Sequence, residues 1–198
     1  MHINVHFGIG VIIASMFHSF FHFTLFEFLM IIGCSFIMDF DIFFSKIAPD
    51  HNHRMLITHS IIPGIVLASI GSVIVWPALI LSGAAYIIHS IIDTFDWGTN
   101  LLGFHKRPWG PKLLISKEEL ENLPAILARF KIKKSFFDFK YYGNKIILIF
   151  EGLVAFLMIL FIIIFAFEYL LVVLLYIPLL FFHLSGFLHL KRIEKNKD

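Results

Sequence analysis

The stretch HNHRMLITHS at positions 51–60 sets three histidines and an arginine between two apolar runs, and DFD precedes it at 39–41. HSIID follows at 89–93, and His6 stands near the start of the chain. Imidazole and carboxylate without thiolate form a donor set suited to a divalent zinc, manganese or iron ion. His89 and Asp93 are four apart, so on a helix they share one face and can serve one ion or two adjacent ions. Asp39 and Asp41 are two apart and diverge on a regular helix. One is expected to ligate while the other orients a histidine from behind. THSIIPG reads as a helix start, with Thr58 or Ser60 as cap and Pro63 confined to the first turn. His59 would then sit at the lip of that helix. The expected ligands are His6, Asp39, His59, His89 and Asp93, with Asp41 as base or orienting partner.

For these residues to meet, the chain must gather distant segments. It has 198 residues, is 59% hydrophobic and contains 25 phenylalanines, and its mean hydropathy is +0.86. A crossing of the bilayer needs about 20 apolar residues, and 146–190 is long enough for two, turning near Glu168-Tyr169. Apolar segments at 5–23, 26–44, 61–76, 77–93, 146–167 and 169–190 predict an all-α membrane bundle of about six helices. As one rod, 61–93 would be about 50 Å long, too long for a hydrocarbon core of roughly 30 Å. Pro77 at its middle argues for two short helices folded back near Trp76. The domains expected are a four-helix core over 1–103, a basic interfacial segment over 104–145, and a C-terminal hairpin with a basic tail over 146–198.

Ten of the sixteen Lys and Arg residues lie in 104–145 and four in the tail; the others are Lys46 and Arg54. With six crossings, all these regions and the N-terminus fall on one side, cytoplasmic by the positive-inside rule. His6, Asp39, Asp41, His59, His89 and Asp93 then converge on that end of the bundle. Ionisable groups at membrane helices are costly and normally paired or functional. The N-terminus lacks the basic region of a cleavable signal peptide, and the single Cys34 excludes an internal disulfide.

Within 104–145, SKEELENLPAILARF reads as a helix opened by a capping box of Ser116 and Glu119. KIKKSFFDFKYY suits a surface in contact with lipid headgroups; nucleic acid is not an expected partner. His18, His22, His183 and His189 read as interfacial groups, and Glu151 as a side chain that either snorkels toward water or faces the cluster, the first being preferred.

DFD, HRMLITHS and HSIID, followed by GTNLLGF at 98–104 and preceded by an N-terminal histidine, resemble the YdjM-type family of inner-membrane metal-dependent hydrolases. The resemblance covers roughly 1–110. It departs at Met55, where glycine is usual, and at Asp96, where threonine is common. The His-x-x-x-Asp element is more distantly similar to the superfamily of zinc-dependent phospholipase C and single-strand nucleases, all-helical enzymes with clustered zinc. These resemblances imply an inner-membrane metallohydrolase of phosphoesters, zinc the first choice of metal, with His53, Thr58 and Asp96 as supporting residues or additional ligands. Asp41 and Arg54 would act in catalysis, and Arg54, Lys106 and Arg107 would hold a phosphate of a lipid or lipid-linked substrate. Two other classes fit the composition: an anchor recruiting a soluble partner through 104–145, and a transporter. The apolar helix interiors weigh against the transporter. Neither the number of ions nor the oligomeric state is readable.

Overall fold

The structure is a computed structural model describing residues 1–196; Lys197 and Asp198 of the basic tail lie outside the described residues. Helix α1 (Ile3–Phe21) ends at His22, whose left-handed backbone (φ 49°) turns the chain. Helix α2 (Leu25–Phe36) starts at once, because Thr24 and Glu27 form a reciprocal capping box. A 3-10 segment, Ile37–Ile47, prolongs α2, and three single 3-10 turns carry the chain over Pro49–His59. The remaining helices are α3 (Ile61–Val73), α4 (Pro77–Asp96), α5 (Lys117–Glu121), α6 (Leu123–Leu127), α7 (Lys134–Gly143), α8 (Lys145–Phe165) and α9 (Tyr176–Lys195). No strand forms among the described residues; Thr99 and Trp109 make an isolated bridge.

Five helical segments are long and apolar enough to cross a membrane: Ile3–Phe21, Leu25–Ile47, Pro77–Asp96, Lys145–Phe165 and Phe167–Lys195. The sixth expected crossing, α3, has 13 residues and extends only about 20 Å. What it lacks in length does not alter the placement of the ends. The apolar block is broken where expected, at Ile74–Trp76, where Val75 adopts a left-handed backbone (φ 55°) and Pro77 opens α4. The two helices then run antiparallel in close contact. A Cβ on Gly64 would lie 2.7 Å from the Gly83 carbonyl oxygen, and one on Gly83 would lie 2.4 Å from that of Gly64. Small residues at such a crossing let the backbones approach and pack without a hydrophobic driving force between them.

Helix α1 packs on α2 and α8, and α4 packs on α2 and α3. Trp76 Nε1 donates to Glu27 Oε1 at 2.7 Å, tying the α3–α4 turn to the start of α2. At the same end His18 Nε2 lies 2.9 Å from Glu168 Oε1. His18 is therefore buried and paired, where the sequence led us to expect an interfacial imidazole.

Three local expectations change. The stretch after Ser116 is two one-turn helices, because Asn122 ends the first and Pro124 opens the second. Helix α7 does not simply lie along a lipid surface: Ser135, Phe136, Asp138 and Tyr141 are buried, and α7 packs on α8 and α9. Glu151 does not reach for water. It is 8% exposed and accepts hydrogen bonds from Asn4 Nδ2 at 2.6 Å and the Tyr141 hydroxyl at 2.9 Å. A buried carboxylate without such donors would be costly, which explains why it stays inside. The C-terminal hairpin turns at Ala166, after α8 ends at Phe165, slightly before the expected position.

The Gly64–Gly83 contact yields a test. Gly83→Leu forces α3 off α4 and should cost about 1–3 kcal/mol or more, lowering the thermal midpoint in detergent, whereas Gly152→Leu, which has open space around it, should not.

Candidate metal centre

Each element ends where its polar residue is needed. Because α1 and α2 form a hairpin, the start of α1 and the 3-10 extension of α2 share one end of the bundle. Because α3 and α4 form another, the lead-in to α3 and the last turns of α4 come to that end too. His6 comes from the first turns of α1, Asp39 and Asp41 from the extension, His53 and His59 from the single turns, and His89 and Asp93 from α4.

These side chains fall into two groups that could each hold a metal ion: His6, Asp39, His89 and Asp93, and Asp41, His53 and His59. Within each group the potential ligand atoms lie within 4.8 Å of one another. The groups touch at Asp93. Its Oδ1 is 3.1 Å from His6 Nε2 and its Oδ2 is 2.9 Å from His59 Nε2. The His6 and His89 rings stack with centroids 3.6 Å apart. The sequence placed His59 with the first group and left His53 in a supporting role; the structure sets both beside Asp41.

Hydrogen bonds fix how these rings present themselves. His89 Nδ1 lies 2.7 Å from the Ser35 carbonyl oxygen. A carbonyl only accepts, so Nδ1 carries the proton and Nε2 offers a bare lone pair. That Nε2 lies 3.6 Å from Asp39 Oδ1 and 3.5 Å from Asp93 Oδ2 and has no hydrogen-bond partner. Nor have His6 Nδ1, Asp39 Oδ2 and Asp41 Oδ1, all buried. Buried polar atoms are nearly always satisfied, so unsatisfied acceptor-capable atoms on members of both groups match what bound cations would complete. The nitrogen and oxygen donors fit a borderline or hard divalent ion.

Behind them, Asp41 Oδ2 lies 3.1 Å from His59 Nδ1 and accepts from Thr58 Oγ1 at 2.8 Å. Asp41 thus contacts His59 and Thr58 while Asp39 faces the other group, and each aspartate is a candidate ligand of its own group. Burial alone would depress the His59 imidazole, but its hydrogen bonds to Asp41 and Asp93 outweigh this and hold it up at about 9. Burial, and then the neighbouring Arg54, push His53 down to about 4, so its lone pair is free at neutral pH.

Arg54 grips Asp96 with both arms, Nη1 to Oδ1 at 2.6 Å and Nη2 to Oδ2 at 3.1 Å. Its Nη2 is also 3.1 Å from Asp93 Oδ2. The amino group of Met1 pairs with Asp93 and lies 2.6 Å from Asp96 Oδ2. Burial opposes charge on the guanidinium, yet Asp93 and Asp96 raise its pKa above the usual arginine range. Arg54 is therefore occupied by carboxylates, and Asp96 holds it from behind the cluster. Lys106 and Arg107 are exposed, and no hydrogen bond or ion pair joins them to the cluster among the described residues.

Sequence reasoning missed the groups that fasten the loop. Thr99 Oγ1 donates to the carbonyls of Arg54 at 3.1 Å and His59 at 3.0 Å. Asn100 Nδ2 donates to the Met55 carbonyl at 3.1 Å, and Ser35 supports both His89 and, through its hydroxyl, the His6 carbonyl at 2.8 Å. The polar pair Thr99-Asn100 inside an apolar context was the available signal. Backbone acceptors cannot be read from residue types, so its target was not.

No protein-family profile, no curated protein and no solved structure matches the chain.

Proposed function

We propose that the chain is an integral-membrane, metal-dependent hydrolase acting on phosphoester bonds of a lipid or lipid-linked substrate. The observation that carries this reading is the pair of adjoining buried groups, His6, Asp39, His89 and Asp93 beside Asp41, His53 and His59, with unsatisfied atoms on Asp39, His89 and Asp41, at the end of a bundle of span-length apolar helices. His6, Asp39, His89 and Asp93 would hold one ion, and Asp41, His53 and His59 could hold a second. Zinc is the first choice, with manganese or iron as alternatives. Such an ion supplies a water of lowered pKa and a Lewis acid for a phosphoryl oxygen. The chain itself supplies orientation and proton handling. Asp41 fixes His59 through Oδ2, and with a single ion held by the first group its Oδ1 would be left to accept a proton from an attacking water. Arg54 neutralises Asp93 and Asp96, so that the carboxylates can stay charged together. Lys106 and Arg107, exposed on the loop after Gly103, are placed to attract an anionic headgroup by charge. The excess of Lys and Arg in 104–145 supports a cytoplasmic placement of the site, and the family resemblance supports an inner membrane.

The rival readings draw less from the geometry. An anchor recruiting a partner through 104–145 would want that segment free. Instead Glu194 of α9 accepts from the Lys131 and Ile132 amides at 3.2 and 3.1 Å and from Ser135 Oγ at 2.9 Å. A transporter would continue the polar residues between the bundle ends, yet the space there is filled by Val11, Ala14, Ile31, Ile32 and Ala85.

Three outcomes follow. In detergent, His59→Ala and Asp93→Asn should each lower bound metal well below wild-type stoichiometry and abolish phosphoester hydrolysis, with gel filtration confirming that the chain stays folded; undiminished metal in both variants would defeat the assignment. Asp41→Asn should retain the fold and lose about 10–100-fold in metal affinity or activity, the usual cost of removing a carboxylate behind a ligand. Because His59 keeps its proton up to about pH 9 without metal, an ion binding it at pH 7 must expel that proton. Affinity should therefore rise with pH up to about 9, and calorimetry in buffers of different ionisation heat should register the released proton.

A further inference from the structure

The Pro111–Ser116 stretch, the end of α7 and the first turn of α8 enclose an open depression of about 820 Å³. Its lining carries three cations, Lys112, Lys140 and Lys145, against one acid, Glu119. Lys140 is paired with Glu119. Lys112 Nζ donates to the Pro108 carbonyl at 3.1 Å, and Lys145 is exposed. Neither has a carboxylate partner among the described residues. Two apolar side chains of the lining are left open, Leu113 at 50% and Ile146 at 68% exposed. Cations without counter-charges beside uncovered apolar side chains form a surface complementary to an anionic head on a hydrocarbon body.

Its position agrees with that chemistry. Lys145 opens α8, a helix long and apolar enough to cross the membrane, and lysines at the ends of such helices lie at headgroup depth. The other wall is fastened to the metal centre's own helix. The amides of Lys112, Leu113 and Leu114 donate to the Thr94, Phe95 and Asp96 carbonyls at 3.2, 2.7 and 3.1 Å, one turn beyond Asp93.

We propose that this depression binds the head of an acidic phospholipid, Lys112 and Lys145 meeting the phosphate oxygens and Leu113 and Ile146 the first carbons of the acyl chains. The site requires only that α8 cross the bilayer; it stands whether or not the metal centre is hydrolytic. A free phosphate ion would satisfy the lysines and leave the apolar side chains uncovered, so the lipid is the occupant that fits both.

The test uses the full chain purified in mixed micelles of phosphatidylcholine and phosphatidylglycerol, with retained lipid counted by native mass spectrometry and metal content measured in the same samples. Wild type should retain phosphatidylglycerol selectively. Lys112→Gln with Lys145→Gln should reduce that retention about tenfold or more, with metal content unchanged. Lys133→Gln with Lys191→Gln, the same change of charge outside the depression, should leave it near wild type, and millimolar inorganic phosphate should not displace the lipid. Equal losses in both double variants, displacement by phosphate, or full retention without Lys112 and Lys145 would each overturn the proposal. Metal lost together with lipid in the Lys112 and Lys145 variant would show a collapsed fold; Leu113→Gln, which keeps every charge, then decides, since it should weaken retention of the lipid and a purely electrostatic surface would not notice it.

Discussion

The carboxylate of Asp93 has no exposure to solvent, and the architecture of the site end follows from keeping it there. Withdrawing a charged group from water costs several kcal/mol even after relaxation, and more so in a chain surrounded by hydrocarbon. The cost is met by partners drawn from three separate parts of the chain. His6 comes from α1, Arg54 and His59 from the turns before α3, and the Met1 amino group from the start of the chain. None of these could reach Asp93 unless both hairpins closed at the same end. The packing of the bundle and the composition of the site are thus one requirement seen twice.

That view also explains why the number of crossings matters less than the number of reversals. A 13-residue α3 is too short for a comfortable span, but it lies antiparallel against α4 over Gly64 and Gly83. Its entry and the exit of α4 are neighbours whatever its depth. His59 and Asp93, 34 positions apart, meet at 2.9 Å for that reason.

Much of this was legible in the residue order. The break at Trp76-Pro77 was visible because proline cannot continue a helix, and His89 with Asp93 was visible because a spacing of four selects one face. The separation of Asp39 and Asp41 into different groups followed from their spacing of two. What could not be read was set by contacts between backbone and side chain, or between helices far apart in sequence. The Ser35 carbonyl that fixes the His89 tautomer is invisible in a list of residue types. So were the assignment of His59 and His53 beside Asp41, and the engagement of Arg54 by Asp96. Glu151 looked like a group at the edge of a span, since nothing near it in sequence announced Asn4 as its donor.

The Asn4–Glu151 hydrogen bond has a mechanical meaning. Glu151 also receives the Tyr141 hydroxyl, and Asn4 Nδ2 lies 3.1 Å from the Tyr176 hydroxyl, so four helices are laced together two residues before His6. The C-terminal pair of helices is accordingly a splint for the first one. Sliding of α8 or α9 along α1 would have to break these buried hydrogen bonds, so the start of α1 is held from the side opposite the α2 hairpin.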